Sequence, residues 1–320
     1  MSKLLTVIGA TGTQGGSVVS AALTSGNYKI RGVTRDINSD ASNALISKGV
    51  EMVAADWNDE QSLVEAFELS HLGSYAIYAV TDFWASFAIQ DIKNPIELEA
   101  KQGINMAEAA AKTASLNHFI WSTIPDNVRI SGGKHSVAHF EGKLKVDQYI
   151  RDKDLLSKTT FLWVGYYATN IVLPMITPNL LKTSGKYLQL LPVPEDCPIT
   201  TVGDPRINPG IYALAILSQP ELTLPGKIVL AETETRTVRD ILNIWAEVSE
   251  KPAAYAEISI EHYDNLWPKW GREIGKMLQF WNEAREKSWT SDHPVLTKHD
   301  LRVSGLVGMK EVFAGFDWSS

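Results

Sequence analysis

The sequence predicts an α/β protein with a doubly wound parallel sheet and a smaller mixed lobe in its C-terminal half. Three observations lead to this fold class. Over the first 165 residues, short apolar segments alternate with longer helical ones, a glycine-rich turn follows the first apolar segment, and the alternation stops after Gly165. Strands that alternate with helices are connected by right-handed crossovers, which bury a parallel sheet between two layers of helices.

The strand candidates of the first half are short, rich in Val, Ile, Thr and aromatic residues, and bounded by turn-forming residues. They cover residues 4–8, 29–33, 51–54, 74–80, 117–121 and 159–164. Helix candidates lie between them, at residues 14–24, 39–47, 59–69, 95–114 and 140–151. The third of these helices opens with Asn58 and Asp59, which are capping residues, and continues into an acidic first turn.

The pattern changes beyond Gly165. Residues 185–210 contain five prolines and few periodic apolar positions, which predicts a loop with a short hairpin. A strand at 227–230 is a candidate to rejoin the main sheet. Further helices are expected at residues 211–217, 238–249 and 271–286.

Composition narrows the function classes. The formal net charge of −7 is spread without a basic cluster, which argues against direct binding of nucleic acid. A single cysteine, Cys197, excludes an intramolecular disulfide framework and a cysteine-based zinc site, and we expect no metal site. The N-terminal apolar run is too short for a signal peptide, and no apolar stretch is long enough to span a bilayer, so we expect a cytoplasmic protein without membrane contact.

The glycine-rich turn, GATGTQGG at residues 9–16, lies between a predicted strand and a predicted helix. In that context Gly9 permits the tight turn, Gly12 lets a pyrophosphate approach the backbone, and Gly15 lets the helix pack against the strand. The N–H groups at the helix start, Thr13 among them, then face the phosphates. The alternative is an ordinary glycine-rich turn. We therefore expect a Rossmann NAD(P)-binding domain over residues 1–165 and a smaller substrate- or partner-binding lobe over 166–320.

Arg35 follows the second strand, where NAD-specific sites carry an acidic residue that binds the adenosine ribose. A guanidinium offers a planar fork to a 2′-phosphate and stacks on adenine, so NADP(H) is favoured over NAD(H). Two alternatives remain open. A shift of one residue would put the carboxylate of Asp36 in this place, and Arg35 could be a solvated surface residue.

The ends of the third and fourth strands supply further candidates. Asp56 and Trp57 either bind the adenine or simply begin the turn into the next helix. Thr81 is expected near the middle of the cofactor, because the ends of strands one and four flank the crevice in doubly wound sheets. Phe83 and Trp84 are candidate substrate contacts, with a place in the hydrophobic core as the alternative.

His139 and Lys143 lie four residues apart on one predicted helix and so share a face. Short-chain dehydrogenases carry Tyr-x-x-x-Lys at this place, where the lysine holds the nicotinamide ribose and the tyrosine transfers a proton. Here the lysine is present and histidine stands at the tyrosine position. Histidine exchanges protons near neutral pH, so both are candidate catalytic residues. A structural hydrogen bond for His139 and a plain surface position for Lys143 are the alternatives.

These segments resemble the NmrA-like family of atypical short-chain dehydrogenases, including members of fungal secondary metabolism. The matching motifs are GATGTQGGSVV at 9–19, VTR at 33–35, DW at 56–57, VTDFW at 80–84, WST at 121–123, HFEGKLKVDQYIR at 139–151 and GYYATN at 165–170. The resemblance implies an NADP(H)-preferring Rossmann domain and a cleft under the C-terminal lobe. It adds Thr11, Gln14, Tyr167 and Asn170 to the cofactor contacts and Tyr166 to the substrate contacts. Ala168 and Thr169 depart from the family pattern, which often has Glu in this segment.

The family includes both enzymes and redox-sensing regulators, so two function classes remain. The first is an NADPH-dependent enzyme acting on a bulky, aromatic, nitrogen-containing metabolite, because the second half is rich in Trp and Tyr. It would reduce a C=O, C=N or C=C bond, or use the cofactor as a scaffold for a ring closure of Pictet–Spengler type by one of the acids Asp82, Glu97 and Glu99. For Glu97 and Glu99 the alternative is a solvated position at a helix start. The second class senses the NADP(H) ratio and controls a protein partner. A homodimer is compatible with either class.

Overall fold

A computed structural model of the chain describes residues 3–68, 73–89 and 94–319. Its main element is an eight-stranded sheet in which all neighbouring strands run parallel. The strands are β1 (Lys3–Ile8), β2 (Tyr28–Thr34), β3 (Glu51–Ala54), β4 (Ala76–Ala79), β5 (His118–Thr123), β6 (Thr159–Val164), β11 (Lys227–Ala231) and β14 (Val295–Leu296). Their spatial order is β3-β2-β1-β4-β5-β6-β11-β14. The doubly wound parallel fold predicted from the sequence is confirmed.

The winding of the sheet reverses between β1 and β4. The first strand pairs with β2 on one side and with β4 on the other, so the connections on its two sides lead to opposite halves of the sheet. A crevice opens at such a point beyond the carboxyl ends of the strands. This topology puts the glycine turn after β1 beside the residues that follow β4.

Helices cover both faces of the sheet. One face is packed by α3 (Glu60–Glu68), α5 (Pro95–Lys112) and α7 (Ala138–Arg151), whose apolar side chains meet those of the strands in one hydrophobic cluster. The other face carries α1 (Thr13–Ser25) and α8 (Asn208–Ser218), which approach so closely that a Cβ atom at Gly210 would lie 2.2 Å from the Ser17 carbonyl oxygen. Arg31 is completely buried in β2, where it pairs with Glu51.

The part of the chain beyond residue 165 is divided between this sheet and a separate core. Strands β11 and β14 belong to the main sheet, and the division at residue 165 stays a prediction. Two three-stranded sheets, in the orders β12-β10-β7 and β13-β9-β8, build the C-terminal region. Their strands are β7 (Tyr166–Tyr167), β8 (Asn179–Leu181), β9 (Lys186–Leu191), β10 (Pro198–Gly203), β12 (Glu234–Thr237) and β13 (Ala253–Glu257).

A third hydrophobic cluster, rich in aromatic side chains, lies among α10 (Val238–Ser249), α11 (Ile260–Leu266), α12 (Trp270–Ala284) and α13 (Met309–Ala314). Trp84 of α4 (Phe83–Ala88) and Ile130 of α6 (Asn127–Ile130) pack against it. The short helices α2 (Asp40–Ile46) and α9 (Pro220–Thr223) pack instead, through Leu45 and Leu222, against the cluster that contains α1 and α8. Within the described residues, each helix is too short or too polar to cross a lipid bilayer.

The strands and helices predicted for the first half agree with the structure to within two residues at each end. The region 185–210, predicted as a loop with a short hairpin, contains two strands, β9 and β10. The antiparallel partner of β9 is β8, which lies before this region, and the prolines obscured β10. Short elements such as α4, α6 and β14 were not predicted, because two to six residues carry too little periodicity to recognise.

Candidate functional site

The glycine turn has the geometry expected for a phosphate-binding loop. Gly9 has a φ of 69°, in the left-handed region, and its carbonyl oxygen accepts a hydrogen bond of 2.8 Å from the Gly12 N–H. A Cβ atom at Gly15 would lie 2.2 Å from the Gly9 carbonyl oxygen, so only glycine permits this contact between helix and strand. The cap at Gly12 makes no side-chain hydrogen bond, and the first turn of α1 carries no acidic residue. Thr11, Gly12 and Thr13 are exposed, so their backbone is available to a diphosphate.

The side chain of Gln14 ties this turn to neighbouring strands. Its amide oxygen accepts hydrogen bonds from the Tyr78 hydroxyl at 2.6 Å and from Ser122 Oγ at 2.7 Å. Its amide nitrogen donates to the hydroxyl of Tyr167, whose pKa is raised to about 12 by burial. The side chain of Gln14, which was predicted as a cofactor contact, therefore ties the first turn of α1 to β4, β5 and β7.

Arg35 and Trp57 meet beside the glycine turn. Arg35 is exposed at the carboxyl end of β2, and its guanidinium carbon lies 5.7 Å from the centroid of the Trp57 ring. Trp57 Cη2 in turn would lie 3.9 Å from a Cβ atom at Gly9. These two side chains place a flat aromatic ring beside a cation. Such a pair is suited to an adenosine that carries an extra phosphate.

The two aspartates that compete with these residues are engaged in turns. Asp36 Oδ1 accepts from the Asn38 backbone N–H at 2.9 Å, and Asp56 Oδ1 accepts from both the backbone and the side chain of Asn58. The turn-forming alternative for Asp56 is thus the contact observed. A carboxylate of Asp36 at the key position finds no support in these bonds.

Lys143 lies at the end of β4, as expected from its position on α7. Its ammonium group donates to Thr81 Oγ1 at 2.7 Å and lies 3.0 Å from Glu99 Oε1. Thr81 Oγ1 also donates to the same oxygen of Glu99 at 2.7 Å. The Glu99 side chain is fully buried, and among the described residues its second oxygen has no hydrogen-bond partner. The ammonium of Lys143 is therefore held in one position by a buried carboxylate.

The sequence offered Glu97 and Glu99 alike as candidate acids near the cleft, with a solvated helix start as the alternative for both. The alternative describes Glu97, which pairs with Lys145 at the surface. It does not describe Glu99, because the α5–α7 contact buries it against Gly142, where a Cβ atom would lie 2.6 Å from Glu99 Oε2. The packing of α5 on α7 therefore distinguishes two acids that the sequence does not.

His139 contacts the C-terminal region through Glu273. Oε1 of Glu273 lies 2.6 Å from His139 Nδ1 and accepts the His139 backbone N–H at 2.9 Å. Burial by itself would raise the pKa of Glu273, but the hydrogen bonds and charge of His139 outweigh it and keep that pKa below its usual value. Glu273 is thus an ionised carboxylate in a nearly closed environment, with side-chain exposure of 7%. No sequence signal pointed to it, since 134 residues separate the pair.

An aromatic cluster lies next to His139. The centroid of the Trp84 ring is 4.7 Å from that of His139 and 5.3 Å from that of Trp270, which stacks on Trp84 at an interplanar angle of 15°. Phe83 is buried and meets Trp84 edge-on, so the core alternative describes Phe83 well. Trp270 was missed by the residue-level prediction, although it lies in the Trp-rich segment noted in the sequence.

Three further candidates lie away from this cluster or have another role. Asp82 is exposed and caps α4 by accepting the Ala85 N–H at 3.1 Å, a bond that gives no support to the catalytic role predicted for it. Tyr166 packs edge-on against Trp281, with ring centroids 5.7 Å apart, and belongs to the C-terminal core. Asn170 lies in the short 3₁₀ turn that follows Tyr167 and is partly buried.

Comparison with known proteins identifies the family. Residues 1–305 of the chain match the sequence model of the NmrA-like family. It belongs to the NmrA-like family. An NmrA-like family domain-containing protein of Dictyostelium discoideum is 27% identical over 297 residues, 88% of this chain and 88% of that protein. The NmrA-like family domain-containing oxidoreductase hkm9 of Aspergillus hancockii is 30% identical over 178 residues, 55% of this chain and 50% of the relative. This NmrA-like chain thus matches about half the length of that oxidoreductase.

Solved structures agree with the family. NmrA, a negative transcriptional regulator, in complex with NAD superposes with a TM-score of 0.78 at 18% identity over 99% of both chains. The NADPH-dependent quinone oxidoreductase QOR2 of Escherichia coli, complexed with NADPH, gives a TM-score of 0.69 at 15% identity, over 97% of this chain and 98% of that one. At identities this low, the superpositions show that this NmrA-like protein shares the fold of these structures, and nothing about its function.

Proposed function

We propose that this NmrA-like protein is an NADP(H)-binding oxidoreductase that reduces a C=O, C=N or C=C bond of a bulky, aromatic, nitrogen-containing metabolite. The observation that carries the proposal is the position of Lys143. Its ammonium group is held against Thr81 at the carboxyl end of β4, and the glycine turn leaves from the neighbouring strand β1. Lys143 would hold the nicotinamide ribose of a dinucleotide bound at the turn.

The residues around the turn fit such a cofactor. Exposed backbone at Gly12 and Thr13 suits the diphosphate, and the absence of a side-chain cap on α1 leaves its N-terminal dipole to the ligand. Arg35 over the Trp57 ring favours NADP(H), because a guanidinium binds the 2′-phosphate that distinguishes it from NAD(H). The complexes of NmrA with NAD and of QOR2 with NADPH support the binding of a dinucleotide by a protein of this fold.

The substrate class rests on the aromatic cluster. Trp84 and Trp270 are only partly buried, so their stacked faces border the region beside His139. When bound, the reduced cofactor supplies a hydride at the nicotinamide. The chain itself contributes Lys143 to orient the ribose, His139 to exchange a proton, and the indole rings to bind a flat apolar group. The oxidoreductase names of fungal relatives support redox chemistry.

Calorimetry and an absorbance assay test this proposal together. The protein should bind NADPH more tightly than NADH, and a panel of aromatic ketones, imines and enones should include compounds that oxidise NADPH. If neither dinucleotide gives a heat of binding, the proposal fails at its first step. Tight binding of NADPH with no turnover over the whole panel would remove the reductase activity alone.

A second candidate function is a sensor of the NADP(H) ratio that controls a partner protein. Two observations favour it: histidine replaces the catalytic tyrosine of short-chain dehydrogenases, and the regulator NmrA has the same fold over nearly the whole chain. A sensor needs different affinities for NADP⁺ and NADPH, whereas the enzyme needs turnover. Equal affinities together with turnover would exclude the sensor. A homodimer or a regulatory partner remains compatible with either function.

A further inference from the structure

Glu273 makes an unusual pair of bonds to His139. A single oxygen, Oε1, accepts the backbone N–H at 2.9 Å and lies 2.6 Å from the ring nitrogen Nδ1. The backbone N–H belongs to the first turn of α7, where intrahelical partners are lacking, and the cap residue Val137 supplies no side-chain bond. Glu273 therefore caps α7 from another helix, α12, and at the same time holds the imidazole ring.

We propose that Glu273 is the positioning residue of a Glu–His pair in which His139 acts as the proton donor of the reductase reaction. This inference rests on the proposed function and adds a residue to it. An ionised carboxylate can only accept hydrogen bonds, so Nδ1 of His139 carries a proton and Nε2 is the atom that exchanges one. Among the described residues nothing bonds to Nε2, and the ring borders Trp84 rather than the solvent.

The position of His139 suits this role. It lies one turn before Lys143 on α7, so both face the same side of the helix, and Lys143 reaches the end of β4. The carboxylate of Glu273 lies within hydrogen-bond distance of the ring, and both side chains are largely shielded from solvent, where opposite charges attract each other more strongly than in water. The carboxylate keeps its charge because its pKa is held below the usual value.

The proposed step balances in charge and atoms. In a carbonyl reduction, the hydride supplied by the reduced dinucleotide forms the new C–H bond and the π electrons of the carbonyl move onto oxygen. The proton on Nε2 of His139 then completes the hydroxyl group. Neutral imidazole with its proton on Nδ1, the alcohol and the oxidised dinucleotide remain.

The chain contains a matched control pair. His135, in the segment that precedes α7, also contacts α12, with its Nε2 2.7 Å from Oε2 of Glu283. Glu283 is 47% exposed and shares its carboxylate with Lys134, whereas Glu273 is buried. Replacing Glu283 therefore removes a Glu–His contact made by α12 without touching His139.

The protonation site of His139 can be measured without a substrate. Nitrogen-15 NMR of the full chain labelled at histidine, at a pH where the ring is neutral, should place the proton on Nδ1; His139→Asn assigns the signal. Glu273→Ala should lose this preference. Glu273→Gln should restore it, because an amide oxygen at the same site must still face the backbone N–H. Glu283→Ala should leave it unchanged. A wild-type proton on Nε2, or a Glu273→Ala spectrum identical to wild type, would overturn the inference.

Turnover provides the second readout. With any substrate of the wild type, Glu273→Ala and Glu273→Gln should both lower kcat/KM by more than about tenfold, since neither supplies the charge that stabilises the imidazolium. Binding of NADPH by calorimetry should stay within about twofold of wild type, because Glu273 lies outside the cofactor contacts. If Glu273→Ala does not fold, the wild-type spectrum and Glu273→Gln still decide. If the wild type does not bind NADPH, the proposed function is contradicted. The position of the proton on His139 is measured without a cofactor and is decided independently.

Discussion

Nζ of Lys143 and Oε1 of Glu99 lie 3.0 Å apart between helices α7 and α5, and Thr81 bonds to both. The lysine side chain is 14% exposed and the glutamate side chain is not exposed at all. Such a pair is held in place by the cost of burying either charge alone. The ammonium group that we assign to the nicotinamide ribose is therefore positioned before any cofactor arrives.

Removing the lysine charge should affect both stability and binding. Lys143→Met leaves Glu99 as an unpaired buried carboxylate, which costs about 3 to 5 kcal/mol of unfolding free energy. The double variant Lys143→Met with Glu99→Gln removes both charges and should recover part of that loss in a denaturant titration. Both variants should bind NADPH at least about tenfold more weakly than wild type by calorimetry.

Lys145→Met is the matched control, because Lys145 forms the corresponding surface pair with Glu97 on the same two helices. It should change the unfolding free energy by about 1 kcal/mol or less and leave NADPH binding intact. Unchanged NADPH affinity in Lys143→Met would refute the role given to this lysine.

The choice between dinucleotides should depend on Arg35. In Arg35→Glu the carboxylate repels a 2′-phosphate and is able to bind the ribose hydroxyls, so the ratio of NADPH to NADH affinity should fall by at least about tenfold. Asp36→Asn is the control, since Asp36 is engaged in a turn with Asn38. If the ratio of NADPH to NADH affinity changes in Asp36→Asn and not in Arg35→Glu, then Asp36 determines the specificity and the role given to Arg35 is wrong.

The glycine turn permits a comparison between adjacent positions. Gly15→Ala would bring a Cβ atom to 2.2 Å from the Gly9 carbonyl oxygen, whereas at Gly16 the nearest atom is the Ala10 carbonyl oxygen at 3.5 Å. Gly15→Ala should therefore lower the melting temperature and weaken NADPH binding. Gly16→Ala should do neither. Equal behaviour of the two variants would mean that α1 does not pack on the turn as described.

Asp147 should make stability depend on pH. On α7, it accepts a 2.7 Å hydrogen bond from Nε1 of Trp121 on β5, and burial raises its pKa to about 7 from 3.8. The unfolded chain releases this proton near pH 4, while the folded chain keeps it until about pH 7. The stability that the protonated form contributes is therefore complete below about pH 4 and is lost as the pH rises to about 7.

Asp147→Asn carries no such proton and keeps an acceptor for Trp121. The unfolding free energy of the variant minus that of wild type should increase from about pH 4 to about pH 7 and then level off. Urea titrations at several pH values measure it. A difference that is independent of pH would show that the carboxyl is ionised throughout.

Much of this protein follows from local sequence. Features that depend on periodicity, or on spacing within about thirty residues, were predictable. They are the parallel fold, the element boundaries of the first half, the glycine turn, Arg35 beside the second strand and Lys143 on its helix. The substrate side was less accessible. Asp82 was considered for chemistry and caps a helix, and Tyr166 packs into the C-terminal core.

Tertiary contacts decided which polar residues act together. Glu99 and Glu97 are equivalent as sequence, yet packing of α5 on α7 buried one and exposed the other. His139 bonds to Glu273, which lies on a helix more than a hundred residues away, and Gln14 on α1 bonds to Tyr78 and Ser122 on two strands. A local pattern records which way a side chain faces along its own element. Which partner it contacts depends on how distant elements pack. A polar side chain that this packing buries then forms an ion pair or a hydrogen bond with that partner, because a buried polar group without one is costly.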